Sequence, residues 1–138
     1  LGLDASFDGL CRLYWRTAVA IALGVRQIVE AIRAGGHKIE RLHLAGGHLR
    51  NPILTELYAD VTGCAIVEPA SEDAMLLGTG MAAAVAAKLY PSLEAAAAAM
   101  RQGESERLPD AAAHAGFDRD YRVFLEMHRH RQALEALK

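Results

Sequence analysis

Gly46 and Gly47, followed by Asn51 and Pro52, mark the stretch of this chain most suited to meeting a ligand. Two adjacent glycines give the backbone access to positive φ and let a ligand reach the main chain with no Cβ in the way. Asn51 sits where an N-cap belongs, its side-chain oxygen free to accept from the first exposed N–H groups of a helix, and Pro52 suits the first helical position. The apolar run 42–45 enters this stretch and an amphipathic segment leaves it, so it reads as strand, glycine turn and capped helix. Two readings of the turn stand. One is an ordinary βα connection whose glycines only reverse the chain. The other is a nucleotide contact at the carboxyl end of a strand, where open α/β sheets place their ligands. The lysine and serine or threonine of a P-loop are absent, as is the third glycine of the dinucleotide fingerprint.

Other chemistries find less support. His43 with His48, and His128 with His130, are the nearest histidine pairs, but neither has the i, i+4 spacing of a helical zinc motif. No cysteine or carboxylate completes a four-ligand set, so no metal site is expected. His43 reads as a residue packed on the sheet, and 128–131 as a solvated tail. There is no Gly-x-Ser-x-Gly elbow and no cysteine–histidine signature for nucleophilic catalysis. Asp4 and Asp8 read as helix-start residues, Asp60 as a helix-surface residue and Asp73 as a partner of a helix dipole.

The composition frames these motifs. With 138 residues, 52% hydrophobic and 23% charged, the chain has the length and balance of one globular domain. A net charge of −2 supplies no basic field for nucleic acid, and residues 18–25 are too few to cross a bilayer. Leu1 stands where an initiator methionine would, which suggests a piece of something longer or a lost start. Cys11 and Cys64 lie in apolar contexts, as reduced core thiols of a cytoplasmic protein do.

Hydrophobic periodicity sets out the helices and strands around the turn. Residues 7–34 carry helical spacing at Leu10, Tyr14, Ala18, Ile21, Val25, Ile28 and Ile32, with an all-apolar middle that predicts burial by several neighbours. Gly35 and Gly36 end that helix with a left-handed cap. A strand over 39–45, a helix over 52–62 stopped by Gly63, and a strand over 64–67 form a βαβ unit with parallel strands. Ser71 is placed to cap the next helix, with Glu72 and Asp73 at its positive end. That helix should run to about Lys88 with Gly78 and Gly80 inside it, where another backbone packs close. An alanine-rich helix from Ser92 to about Gln102, a loop over 103–116 and a last helix over 118–137 complete the chain. The last helix should bury Tyr121, Phe124, Leu125, His128 and Leu134. Two short parallel strands are too few for a sheet, so something that completes it is missing.

Three segments in this order, 44–52, 58–63 and 72–80, resemble the C-terminal part of the FGGY carbohydrate kinases, closest to the pentulose kinase branch that includes D-ribulokinase-like proteins. Residues 117–125 also resemble that branch's terminal helix. The resemblance implies an α/β fold: a partial actin-like ATPase (ribonuclease H-like) domain, helix-rich, with two short parallel strands and two extra C-terminal helices. It divides the chain into residues 1–103, the C-terminal part of the second actin-like domain, and 104–138, a loop and terminal helix packing on it. The preceding three-stranded meander would be the missing part of the sheet.

By the same resemblance, Gly46, Gly47 and Asn51 lie against the adenine and ribose of ATP. The activity implied is ATP- and Mg²⁺-dependent transfer of a phosphoryl group to a pentulose such as ribulose. The catalytic aspartate, phosphate loops, Mg²⁺ ligands and most of the sugar pocket would precede this segment, so the segment alone is expected to be inactive. A second reading is a stand-alone helical interaction or oligomerisation module derived from such a kinase. An open sheet edge would also invite pairing with a second copy of the chain.

Overall fold

The long first helix, α1 (Phe7–Ala34), is started by Ser6, whose hydroxyl accepts from the Gly9 amide at 3.0 Å. This computed structural model describes residues 4–71 and 73–137. Glu72, expected at the start of a helix, lies outside the described residues. Gly35 closes α1 with φ −76°, and the left-handed turn falls one residue later, at Gly36 with φ +88°.

Of the stripe expected on α1, only Ala18 and Val25 pack against the core. Ala18, Val19, Ala22, Leu23, Arg26 and Val29 are buried, whereas Leu10, Tyr14, Ile21, Ile28 and Ile32 are exposed. Ala18 and Ala22 are small, so the backbone of α2 (Pro52–Thr62) can come close and set Leu54, Leu57, Tyr58 and Val61 against them. Ile53, expected in the same stripe, stays exposed. The all-apolar middle of α1 is therefore covered on one side only.

Strands β1 (Arg41–His43), β2 (Ala65–Pro69) and β3 (Glu104–Arg107) form one sheet in the order β1-β2-β3. β1 and β2 are parallel, with Leu42 opposite Ile66, as the βαβ reading requires. β1 is shorter than the strand expected over 39–45. The addition is β3, which pairs antiparallel with β2, Val67 facing Glu106, where the sequence reading placed a loop. The sheet thus has three strands and is mixed, not two and parallel. Ile66 in the central strand is fully buried.

Helix α3 (Ala74–Ala86) is capped by Asp73 and not by Ser71: the Asp73 carboxylate accepts from the Leu76 amide at 3.0 Å. It ends before Lys88, which has φ +59°. No backbone crowds its glycines, since a Cβ at Gly78 would meet nothing within 4 Å and one at Gly80 would meet the Met100 side chain at 3.7 Å. α4 (Leu93–Met100) starts at Ser92 as expected. α5 (Ala111–Glu135) begins well before Asp118, because Asp110 caps it and is itself held through its amide by the Asp60 carboxylate at 2.8 Å. Asp60 is thus a seat for α5 and not a free surface residue. Tyr121, Phe124 and Leu125 are half-buried, as is His128, and Leu134 is exposed.

Two arginines lock the elements together. Arg26 donates to Asp118 at 2.6 Å and lies 4.4 Å over the Tyr121 ring, joining α1 to α5. Arg33 donates to the Ile39 carbonyl at 2.7 Å and to Cys64 Sγ at 3.1 Å, fixing the chain that enters β1 against the start of β2.

Candidate functional site

Because β1 and β2 are adjacent and parallel, their carboxyl ends open on the same side. β1 runs into the glycine turn, a single 3₁₀ stretch (Gly46–Arg50), and β2 runs into Ala70 and Ser71. Between these exits and the first turn of α3 lies a cleft of about 560 Å³, lined among others by Gly46, Gly47, Arg50, Glu68, Ser71 and Asp73.

The two glycines differ in what the fold asks of them. Gly46 has φ +78°, which L side chains rarely adopt, so the turn itself requires glycine there. Gly47 has no positive φ, and a Cβ on it would meet nothing within 4 Å. The fold therefore has no use for a bare Gly47. Its effect is to leave main chain uncovered along the cleft.

Side chains tether the turn at both ends. His48 Nδ1 is 2.8 Å from the Tyr58 hydroxyl, and the two rings stack at 5.7 Å with 13° between their planes. Burial raises the Tyr58 pKa, so the phenol keeps its proton and can donate to a neutral imidazole. Asn51 caps α2 as expected, its oxygen accepting from the Leu54 amide at 3.3 Å. Its nitrogen donates to the Tyr14 hydroxyl of α1 at 2.6 Å. Asn51 is not among the residues lining the cleft, whereas both glycines are.

The charges at the cleft are mixed. Arg50 is exposed and forms no ion pair among the described residues. Glu68 sits at the rim, with Oε1 buried, 3.9 Å from Arg107 Nε and without a hydrogen-bond partner. Asp73 is committed to capping α3, whose amino end faces the cleft. His48 and the two tyrosines that hold the turn escaped the sequence reading. Tyr58 is on the apolar face of α2 and gives no sign in sequence that its hydroxyl has a partner.

The remaining candidates lie elsewhere. Hydrogen bonding from the Ser6 side chain and then from the Ser6 amide, which donates to Asp4 at 2.7 Å, holds the Asp4 carboxyl below the usual range, and Asp8 is in the first turn of α1. His43 is exposed on β1, and His130 pairs with Glu126 on α5 at 3.2 Å. Both cysteines are free. Cys64 is buried as expected, but Cys11 is exposed, beside Leu10, Tyr14, Trp15 and Ile53 in an apolar groove of about 580 Å³. None of the described helices is long and apolar enough to cross a membrane.

Residues 1–87 match the family described as "FGGY family of carbohydrate kinases, C-terminal domain". The chain is 34% identical to the FGGY carbohydrate kinase domain-containing proteins of Xenopus laevis and Homo sapiens, over 99% of its own length and 25% of theirs. It is 38% identical to a ribulokinase of Mycolicibacterium smegmatis over 69% of this chain and 17% of that protein. The chain thus spans about a quarter of the length of the relatives that it matches throughout. In fold it is similar to the xylulose kinase of Rhodospirillum rubrum, with a TM-score of 0.70 and 23% identity, covering 97% of this chain and 27% of that one.

Proposed function

The chain belongs to the FGGY family of carbohydrate kinases, and on that premise we propose that it forms the nucleotide side of an ATP-dependent sugar kinase acting on a pentulose such as ribulose. The observation that carries this reading is Gly47, a glycine the fold does not need, at the rim of a cleft beyond the ends of two parallel strands. Bare main chain at Gly46 and Gly47 lets a flat base lie close. Asn51 lies outside the cleft lining; with both ends of its amide bonded to protein, its part is to hold the turn.

The reaction would be in-line transfer of the γ-phosphoryl to a sugar hydroxyl, with two domains closing to exclude water. This chain contributes position and not chemistry. Among the described residues no three His, Cys, Asp or Glu side chains gather as a metal site, and the Asp73 carboxylate is spent on a helix cap. In this reading the Mg²⁺ ligands and the base for the sugar hydroxyl belong to the rest of the kinase, and this chain alone is inactive. In that kinase residues 1–103 form the end of the second actin-like domain and 104–138 an appended segment, joined to it through β3. The setting is the cytoplasm, where unpaired Cys11 and Cys64 stay reduced.

Calorimetric titration of ATP with Mg²⁺ into the chain tests this reading. Binding that Gly47→Val abolishes, with the helical circular dichroism intact, is the expected result. Binding unaffected by Gly47→Val would remove the turn from the site.

A second reading, an interaction module derived from such a kinase, is favoured by the exposed apolar groove of Leu10, Tyr14, Trp15 and Ile53. Sedimentation velocity decides it: a dimer that Leu10→Lys dissociates supports this reading, and a monomer at all concentrations counts against it.

A further inference from the structure

We propose that Tyr58 and His48 are a positioning pair that holds the glycine turn in the shape a nucleotide meets; this rests on the nucleotide reading above. The turn has no buried residue and only Leu49 is half-buried, so hydrophobic packing holds its shape weakly. Its exit is pinned by Asn51 on Tyr14. Among the described residues, the hydrogen bond between the Tyr58 hydroxyl and His48 Nδ1 is the side-chain tether within the turn itself.

The two partners are unequal, and the inequality gives the pair its direction. Tyr58 is 2% exposed and sits in the main core between α1 and α2, so its hydroxyl is a fixed point. His48 is exposed and sits next to Gly47, the residue that leaves the cleft wall bare. One bond of 2.8 Å, with stacking of the two rings, therefore transmits the rigidity of the core to a turn with two glycines. Without it, Gly46 and Gly47 have access to the widest range of φ and ψ of any residue type, and that freedom would have to be lost when a ligand binds. The pair touches no ligand; it acts through the main chain of the turn.

Tyr58→Phe is the test, because it keeps the ring in the core and removes only the hydroxyl. Backbone ¹⁵N relaxation of residues 46–50 should give order parameters near about 0.85 in the parent chain and below about 0.6 in the variant. Calorimetry should show ATP affinity about tenfold weaker in Tyr58→Phe, with the melting temperature lowered only by the few degrees that loss of one hydrogen bond costs. His48→Asn, whose Oδ1 stands near the place of Nδ1, should retain most of the order and affinity that His48→Ala loses. A turn that stays rigid in Tyr58→Phe, or one that becomes mobile without loss of ATP affinity, overturns the proposal. If the parent chain binds no ATP, the nucleotide reading fails for this chain, and the order of residues 46–50 alone then decides the pair: mobile supports it and rigid overturns it.

Discussion

Asn51 donates through its side-chain nitrogen to the Tyr14 hydroxyl at 2.6 Å while its oxygen receives the Leu54 amide at 3.3 Å. One side chain thus closes the start of α2 and ties it to α1. Removing it costs on two counts. Loss of the cap is worth about 1 kcal/mol and loss of the hydrogen bond about 1 kcal/mol. Asn51→Ala should therefore lower the unfolding free energy by about 2 kcal/mol, and Tyr14→Phe by about 1 kcal/mol. Because Tyr14→Phe removes only the shared bond, the double variant should be no less stable than Asn51→Ala alone. Urea titration of the four chains checks it, and strict additivity would show that the bond contributes nothing.

Gly63 ends α2 with φ +66°, and a Cβ there would come within 3.0 Å of the His114 ring, whose Nδ1 bonds the Asp60 carbonyl at 2.8 Å. Gly63→Ala meets both the left-handed penalty of about 1–2 kcal/mol and a ring that is not free to retreat. The urea midpoint should fall accordingly. His114→Ala in the same chain should recover only the contact, leaving the backbone strain in place.

Arg26 is buried, whereas its partner Asp118 is half-exposed, and their contact at 2.6 Å holds the Asp118 carboxyl below its ordinary 3.8. The folded state therefore binds this proton less readily than the unfolded chain. The stabilisation is fully present above the ordinary carboxylate value and is lost as pH falls through the lowered folded one. Asp118→Asn should destabilise the chain at neutral pH, where Arg26 is left without its carboxylate, and should flatten the acid limb of its stability curve below 3.8. Parallel acid titrations followed by circular dichroism would show it; identical acid limbs would exclude Asp118 as a contributor.

How legible these features are in sequence depends on how local their causes are. α1 and α2 start and stop where their caps stand, because Ser6, Asn51, Pro52 and Gly63 act on neighbours three or four residues away. β3 has no such signature. Glu-Ser-Glu-Arg carries no apolar alternation, and it becomes a strand by pairing with β2 while Arg41 reaches Glu106 at 3.0 Å. The packed face of α1 was misread for a related reason. Its large apolar residues outnumber its small ones, and only the structure shows that Ala18 and Ala22 admit α2 while Leu10, Ile21 and Ile28 stay uncovered. In a chain spanning a quarter of its relatives' length, hydrophobic periodicity cannot distinguish a face covered within the chain from one left bare. At the site, the glycine pair and Asn51 were visible as a pattern, but Asn51 proved to be tied to Tyr14, a partner far away in sequence.

Arg33 and Arg41 look alike in sequence, yet their surroundings predict different costs. Arg41 is half-exposed on β1 and pairs with Glu106 in solvent, where screening leaves about 0–1 kcal/mol. Arg33 delivers its donors to the Ile39 carbonyl, the Thr62 carbonyl and Cys64 Sγ, groups at the junction of α1, α2 and β2. Among the described residues, the other side chain on the Ile39 carbonyl is the Cys64 thiol, a weak contact at 3.8 Å. Hydrogen bonds from a charged donor contribute about 1.5–3 kcal/mol, so Arg33→Ala should cost about 2–3 kcal/mol and Arg41→Ala less than about 1 kcal/mol. Raising the salt concentration should narrow the gap between Arg41→Ala and the parent while leaving most of the Arg33→Ala deficit, since screening acts on the Arg41 pair and on the part-exposed Arg33–Glu30 pair at 3.0 Å but little on the bonds to Ile39, Thr62 and Cys64. Equal losses for both variants in urea titrations at low and high salt would mean that the junction around Ile39 is held by the backbone and not by Arg33.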